Sequence, residues 1–402
     1  MVSKRSSRLR KGCTFLGEIH CAVPRDRIQL NRQNHFTLQG GRTLDDEIWQ
    51  QILSLESRDQ TQKWFEKIHS RQANARRIKE INAAAKQARE FFRNASSSNY
   101  SVRPLLTFYG VSCLSRALLL LLRKSGGEET LTAGHGLETV KWGSLLSGEP
   151  SDGLACLCDL KIRTCAGLFS EFAEGTKSRT SMHISSSEVD WRLFYGTPDR
   201  GAEITLGELF ERIPDLQKDY SNICKNLKYS RINEMTFDFE TGFKAKVSSD
   251  FFLNFRSVYA DLGYNIECHD QWCDISCDAN TFTQNGPLFI HSYIHKTFGA
   301  IPSLFVAAPF PGNRLYSQLC ITYMVGYILG MLSRYYPTHW MSLIQGDKGD
   351  AMWPTINRAQ QCVELSYPEL VIELIHDILK QCDRRRQIQS DAQKNNDSDN
   401  EK

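Results

Sequence analysis

Hydrophobic residues recur at three- and four-residue steps through much of the first 125 residues, and this spacing predicts helices. The apolar positions of 45–55 and 60–68 predict two short helices. A clearer amphipathic helix follows over 78–95, with apolar residues on one face and mainly Arg and Lys on the other. Pro104 then opens a strongly apolar helix that stops before Ser125, because proline lacks only an N–H that has no helical partner in a first turn.

Short alternating segments dominate the middle of the chain and predict strands. Apolar and polar residues alternate over 234–240 and again over 243–247. Thr241-Gly242 joins the two runs, so we expect a β-hairpin there. The Thr205-Leu-Gly-Glu208 sequence has the spacing of a capping box, which predicts that a helix begins at Leu206.

The C-terminal part returns to helical spacing. A long apolar helix is predicted over 315–333, a short helix from Thr338, and another helix over 367–381. The predicted fold class is therefore mainly α with a smaller β-containing section (α+β), in which a helical bundle core carries inserted strands.

We expect five parts along the chain, defined by changes in periodicity and polarity. They are a basic, poorly ordered N-terminal segment (1–45), an N-terminal helical part (46–180), a mixed α/β insert (181–310), a C-terminal helical part packing on the first (311–382) and a disordered polar tail (383–402).

Charge is distributed unevenly over the 402 residues. The formal net charge of +3 combines 20 Lys/Arg and 10 Asp/Glu in residues 1–103, a net of +10, with 29 and 36 in the remainder, a net of −7. Composition is otherwise ordinary, with 41% hydrophobic and 24% charged residues, which excludes collagen-like, wholly disordered and membrane-bundle classes. The basic front part favours an anionic partner such as RNA.

Neither a secretion signal nor a membrane partner is expected. Residues 1–21 are basic and lack the apolar core of a signal peptide. Residues 117–122 are too few to span a bilayer, and 315–333, although uncharged and containing Gly326-x-x-x-Gly330, carries several polar residues and tyrosines. We interpret the latter as a buried core helix. The 13 scattered cysteines are expected to be reduced thiols in a cytoplasmic protein.

No glycine-rich phosphate loop, nucleophile elbow, H-E-x-x-H or kinase signature occurs, so the commonest nucleotide-binding and hydrolase classes have no support. Cys273-x-x-x-Cys277 and His291-x-x-x-His295 nearly reproduce the ligand spacing of a two-Cys, two-His zinc finger. Gly286-Pro287 would interrupt the helix of such a finger after its first turn. We therefore interpret these residues as structural cysteines and surface histidines, and we expect no metal or other cofactor.

Arg334 and His339 form an R-x-x-x-x-H spacing at the end of the long apolar helix. This is the pattern of the HEPN superfamily, which includes many metal-independent ribonucleases. Histidine can move the proton of a ribose 2′-hydroxyl, and arginine can hold the phosphate and stabilise its developing charge. The two residues are the candidate catalytic pair. Such a spacing is frequent by chance, and the alternative is a structural Arg334 that caps its own helix.

Residues 279–346 contain no Asp or Glu, but they include Arg314, Arg334, three histidines and one lysine. A buried Arg334 would need a carboxylate from elsewhere in the chain or an external anion. Arg314 is a candidate ligand-binding residue in the same run. The basic helix face from Arg76 to Arg93 could contact a phosphate backbone, the alternative being a solvated helix face.

Several short motifs follow one another between residues 100 and 340. They are Arg103-Pro-Leu-Leu-Thr-Phe-Tyr-Gly110 with Leu114 and Ala117, Gly134-His-Gly-Leu137, Gly167-Leu-Phe169, Leu206-Gly-Glu-Leu-Phe-Glu-Arg-Ile-Pro214, and Arg334-Tyr335 with Trp340. On these motifs the chain resembles the YaaC-like family of bacterial proteins. The resemblance implies a cytoplasmic bacterial protein and carries over no activity. Within the shared motifs, Arg103 and His135 are candidate ligand-binding residues.

Two hypotheses of different classes follow. The first is an RNA- or phosphate-ligand-binding protein with HEPN-like, metal-independent ribonuclease activity, in which Arg334 holds the phosphate and His339 acts as acid and base. The alternative is a non-catalytic interaction or structural protein, homodimeric through the apolar helix that contains Gly326 and Gly330, with a structural Arg334.

Overall fold

The elements of the protein are taken from a computed structural model, which describes residues 13–16, 29–30, 36–37, 44–176, 199–238, 240–286, 295–296 and 304–400. The helices are α1 (Leu44–Glu56), α2 (Arg58–His69), α3 (Ala75–Ser97), α4 (Arg103–Leu122), α5 (Trp142–Leu145), α6 (Pro150–Ala155), α7 (Leu168–Gly175), α8 (Leu206–Phe210), α9 (Gln217–Tyr220), α10 (Ser249–Phe252), α11 (Arg256–Asp261), α12 (Ala279–Gly286), α13 (Gln318–Tyr335), α14 (Pro337–Gln345) and α15 (Trp353–Asn400). The strands are β1 (Cys13–Leu16), β2 (Gln29–Leu30), β3 (Phe36–Thr37), β4 (His135–Val140), β5 (Lys161–Gly167), β6 (Glu203–Thr205), β7 (Tyr229–Asp238), β8 (Gly242–Ser248), β9 (Asn265–Cys268), β10 (Trp272–Cys277), β11 (His295–Lys296) and β12 (Leu304–Ala307). The predicted class, mainly α with a smaller β-containing section, is confirmed.

Helices α3, α4 and α13 form the centre of the helical part, with α1 and α15 packed beside them. The side chain of Asn74 caps α3 by accepting a hydrogen bond from the Arg77 N–H at 2.7 Å. The apolar face of α3 is buried as its periodicity predicts, with Ile78, Ile81, Ala84, Ala85, Ala88, Phe92 and Ala95 in the core. Most of α4 and every residue of 319–333 in α13 are also buried, so both are core helices.

Glycines let α4 approach its neighbours closely. A Cβ placed at Gly110 would lie 2.7 Å from the ring of Phe92, so only glycine admits this contact between α4 and α3. A Cβ placed at Gly330 would lie 2.8 Å from Phe108 Cβ, and Gly326 packs against Val363 of α15. The two glycines of α13 therefore make contacts within this chain and are not available as a dimer surface. The expected homodimer stays a prediction, but it would have to use another surface.

The predicted hairpin around Thr241-Gly242 is confirmed by β7 and β8, which pair antiparallel. They belong to a seven-stranded sheet ordered β11-β12-β7-β8-β10-β9, with β1 paired to β7. A separate hydrophobic cluster that includes Phe243, Val247 and Tyr259 packs against this sheet. The capping box at Thr205 and Glu208 is present and starts α8 as predicted.

A three-stranded sheet, β4-β5-β6, joins two strands of the predicted N-terminal helical part to β6 of the predicted mixed insert, and β4 and β5 were not expected from the sequence. β4 pairs antiparallel with β5, with a bulge between His135 and Leu137, and β5 pairs with β6. β4 and β5 are short and each contains glycine, so their alternation is too brief to distinguish from a loop.

The chain termini differ in part from expectation. Most of the predicted disordered segment 1–45 lies outside the described residues, but β1 within it joins the large sheet. The sequence predicts a disordered tail from Asp383, whereas α15 continues to Asn400. Lys67 Nζ lies 2.6 Å from the Asp383 carboxylate, and Arg386 donates to the Lys67 carbonyl. These contacts with α2 stabilise the first turns of a stretch that composition alone assigns to coil.

Within the described ranges, α4 is the helix long and apolar enough to cross a membrane. Most of its apolar window is buried inside the protein, as in the core helix of a soluble protein.

Alanine at two glycines of α13 should have opposite effects on stability. Gly330→Ala forces a Cβ against Phe108 and should lower the free energy of unfolding by about 1–2 kcal/mol, despite the better helix propensity of alanine. Gly326→Ala meets Val363 at an ordinary 3.4 Å and should leave the stability unchanged or raise it by up to about 1 kcal/mol. Urea unfolding of both variants measures the difference, and equal losses would contradict the close packing at Gly330.

Candidate functional site

Arg334 lies in the last turn of α13 and is exposed. Its Nη1 donates a hydrogen bond to the Tyr109 hydroxyl at 2.8 Å, and its guanidinium lies 5.0 Å from the centre of the Tyr335 ring. Among the described residues, Arg334 has no ion pair with a carboxylate. A fixed guanidinium without a carboxylate is suited to binding an external anion.

His135 lies close to this arginine. Its ring packs edge-on against Phe108, with 5.1 Å between centroids, and lies 5.9 Å from the ring of Tyr327. The Tyr323 hydroxyl donates to the His135 carbonyl at 3.2 Å. Aromatic residues of α4 and α13 therefore fix both the ring and the backbone of His135.

The glycines on both sides of His135 have a steric function. Gly134 and Gly136 have φ values of +94° and +78°, which side chains rarely adopt. A Cβ at Gly136 would lie 2.5 Å from the Phe169 backbone nitrogen, and Gly167 lies against Gly136 on the paired strand. The Leu168 N–H donates to the Gly134 carbonyl at 3.0 Å. This backbone contact positions His135 so that its ring packs against Phe108 of α4.

The electrostatics of the cluster follow from burial and from Arg334. Burial lowers the pKa of His135, and the positive charge of Arg334 lowers it further. His135 is therefore a neutral imidazole at pH 7, able to accept a proton or a hydrogen bond. Burial also raises the pKa of Tyr327, so that its hydroxyl stays protonated and can donate.

His339, the other member of the predicted catalytic pair, lies on α14 in different surroundings. It is 8% exposed, and a Cβ at Gly153 of α6 would lie 2.7 Å from its Cδ2. Its Nε2 has no hydrogen-bond partner among the described residues. Burial lowers the pKa of His339, with no contribution from Arg334. Pro337 starts a new helix between the two residues. The charge of Arg334 acts on the pKa of His135 and not on that of His339.

The other two candidate arginines bind within the chain. Arg103 makes a two-pronged ion pair with Glu364, with Nε 2.8 Å from Oε1, and Thr107 and Gln360 also bond this carboxylate. Arg314 lies in a tight turn, where its Nη1 donates to the Pro311 carbonyl at 2.9 Å. The ligand-binding roles of Arg103 and Arg314 stay predictions, since both side chains have partners in the chain.

The zinc-like residues are only partly described. Cys273 lies opposite Cys268 across β9 and β10, and the two form a disulfide, which differs from the expectation of reduced thiols throughout. The turn between β9 and β10 brings these two cysteines together, with four residues between them. Burial raises the pKa of the Cys277 thiol to about 11. His291 lies outside the described residues, as does the side chain of His295. In the part of the chain that the structure describes, no three His, Cys, Asp or Glu residues are grouped to hold a metal.

Sequence reasoning missed Tyr109, Tyr327 and Phe108 as parts of the cluster. Tyrosine and phenylalanine in apolar helices are typical of a core. Phe108 and Tyr109 lie within the Arg103–Gly110 motif of the family resemblance, which could have singled them out, whereas Tyr327 carries no such signal. The acid-free run 279–346 did contain a usable signal, because it predicted that Arg334 would find no carboxylate nearby in sequence.

Comparison with known proteins identifies a family. The family model described as YaaC-like Protein matches residues 53–375, a range that includes Tyr109, His135 and Arg334. No curated protein and no solved structure matches the chain.

The pKa of His135 should lie below its ordinary value of 6.5. Arg334→Ala removes the second cause of this shift, so the pKa should rise but stay below 6.5, because burial remains. NMR titration of the imidazole measures both values, and Arg256→Ala, an exposed arginine on α11, is the matched control.

The same shift sets the sign of a pH effect on stability. As the pH falls below 6.5, the unfolded chain binds the His135 proton first, so the free energy of unfolding should decrease. Above pH 6.5 His135 is neutral in both the folded and the unfolded chain, so it no longer changes the free energy of unfolding with pH. A titration that places the pKa of His135 at or above 6.5 would contradict the buried position.

Proposed function

The chain belongs to the YaaC-like family, and from this premise we propose that it binds RNA through a cluster of Arg334, His135 and Tyr109 in the family core. All three residues lie within the range that the family model matches. Cleavage of the bound RNA without metal is the finer part of the proposal.

One observation supports this proposal above the others. Tyr109 holds the guanidinium of Arg334 in place, and no carboxylate of the described residues neutralises it. Phosphate oxygens are the strong acceptors that arginine recognises through paired, charge-assisted hydrogen bonds. The exposed Tyr335 ring beside Arg334 offers a base a stacking surface, as in many single-strand binders.

His135 gives the cluster the chemistry needed for cleavage. A neutral imidazole takes the proton of the ribose 2′-hydroxyl as its oxygen attacks the adjacent phosphorus. The bond from phosphorus to the 5′-oxygen breaks, that oxygen takes a proton from water, and a 2′,3′-cyclic phosphate forms. Arg334 stabilises the charge on the phosphate oxygens. His339 as the acid and base is the competing prediction, tested beside His135.

Binding is tested by fluorescence anisotropy with a labelled single-stranded RNA. Arg334→Ala should weaken binding by at least about tenfold, because a charge-assisted phosphate contact is lost. Arg334→Lys keeps the positive charge but lacks the planar guanidinium, so its affinity for the RNA should lie between those of the wild type and Arg334→Ala. Arg256→Ala is the matched control, and equal weakening in it would show nonspecific charge attraction. Undiminished binding by Arg334→Ala contradicts the proposed site.

Cleavage is tested with the same RNA in the presence of a chelator. His135→Ala and Arg334→Ala should each remove cleavage, whereas His339→Ala should lower thermal stability, since it empties a buried position between α14 and α6. Loss of cleavage only in His339→Ala would favour the Arg334–His339 pair. Equal cleavage by the wild type and all variants indicates a contaminating nuclease. Absence of cleavage in the wild type as well as the variants indicates binding without catalysis.

A second candidate function, a protein-interaction surface, rests on Tyr335. This residue is 60% exposed at the end of an otherwise buried helix, and tyrosine beside arginine is frequent at the centre of interfaces. If the surface forms a homodimer, Tyr335→Ala should shift sedimentation of the protein toward the monomer, with Ile223→Ala, 41% exposed elsewhere, as control. A wild-type protein that sediments as a monomer at high concentration would exclude this dimer.

A further inference from the structure

A cleft of about 410 Å³ lies where the N-terminus of α3 meets the loop after α4. Its lining contains four cationic and two anionic side chains, namely Arg71, Arg76, Arg77, Lys124, Glu80 and Glu129. The volume is in the range of small-molecule pockets, roughly 300–1,000 Å³. The cleft lies at the opposite end of α4 from Tyr109, about 20 Å away at 1.5 Å per residue, so it is separate from the Arg334 cluster.

Arg77 is the unusual residue of this lining, because it is a charged side chain that is only 5% exposed. Its Nη2 donates to the carbonyls of Arg123 and Ser125, at 2.9 and 3.3 Å. Its Nε and Nη1 are buried and have no hydrogen-bond partner among the described residues. Burial lowers the pKa of Arg77, although Glu80 acts in the opposite direction. A buried guanidinium with unfilled donors is costly unless an acceptor is supplied.

The two carboxylates of the cleft are engaged elsewhere. Arg76 bonds both of them, with Nε 2.8 Å from Glu80 and Nη2 2.9 Å from Glu129. Backbone N–H groups of Gly127 and Glu128 donate to the same two carboxylates. Neither forms an ion pair with Arg77 in the described part of the chain.

The remaining cations leave the cleft positive. Arg71 and Lys124 form no ion pair with any described carboxylate. The N-terminus of the 23-residue helix α3, capped at Asn74, adds its partial positive charge on the same side. The four cationic and two anionic side chains of the lining sum to +2, and the N-terminus of α3 adds to this positive charge.

We propose that this cleft binds the phosphate group of a small molecule, as a phosphate monoester or as inorganic phosphate, through Arg77, Arg71 and Lys124. Phosphate oxygens supply acceptors for the Arg77 nitrogens, and their charge offsets the net positive charge of the lining. Arg77 lines the cleft, but its Nε and Nη1 are buried, so binding requires side chains of the lining to move and let the anion reach them.

The test uses the full chain in phosphate-free buffer at constant ionic strength. Inorganic phosphate and adenosine monophosphate are titrated separately, and melting temperature and calorimetric heat are recorded. Either probe should raise the melting temperature in a saturable way, as expected for a ligand that binds only the folded state. Acetate and potassium chloride serve as carboxylate and salt controls. Shifts by phosphate and its monoester no larger than those by acetate or chloride overturn the proposal.

Variants place the binding in this cleft. Arg77→Met keeps the size of the side chain without its donors and should weaken phosphate binding by at least about tenfold. If that variant does not fold, the double variant Arg71→Ala with Lys124→Ala decides, since neither residue is buried, and it should show a similar loss. Arg58→Ala, an exposed arginine at the start of α2 and outside the lining, is the matched control. Undiminished binding by the Arg77 variant, or by the double variant in its place, overturns the site.

Discussion

The close approach of α4 to the helices on either side is the constraint on which the candidate RNA site depends. Gly110 admits the ring of Phe92 from α3, and Gly330 admits Phe108 against α13. Tyr109 lies between these two contact residues, and Arg334 follows Gly330 by one helical turn. The hydrogen bond from Arg334 to Tyr109 therefore exists because two helices pack at glycine distance, and a wider spacing would separate them.

The ion pairs of individual arginines, rather than the net charge of a segment, determine where this protein has free positive charge. Several arginines of the basic front part are neutralised in the fold, as Arg89 is by Glu56 and Arg76 by Glu80. Arg103 is likewise held by Glu364. The net charge of a segment therefore overstates the free positive surface, and the informative arginines are the ones that the fold leaves without a carboxylate.

Periodicity predicted the long elements well because burial enforces it. The helix over 78–95 and the hairpin around Thr241-Gly242 were readable, since each buries a complete face against a neighbour. The site was readable only in part. Arg334 and His135 were both candidates, but their meeting depends on the β4–β5 pairing, a long-range contact that no local pattern encodes. The pairing of Arg334 with His339 relied on sequence spacing, and Pro337 breaks the helix that such spacing assumes.

The turn around His135 has a consequence for how relatives of this chain should be read. Gly136 and Gly167 are back to back, and neither leaves room for a methyl group on its partner strand. Both would resist substitution more strongly than Tyr109, whose hydroxyl bonds Arg334. Invariance at these glycines across a family would thus report the contact distance of two backbones, while the side chain at position 135, next to Gly136, could still change with the ligand.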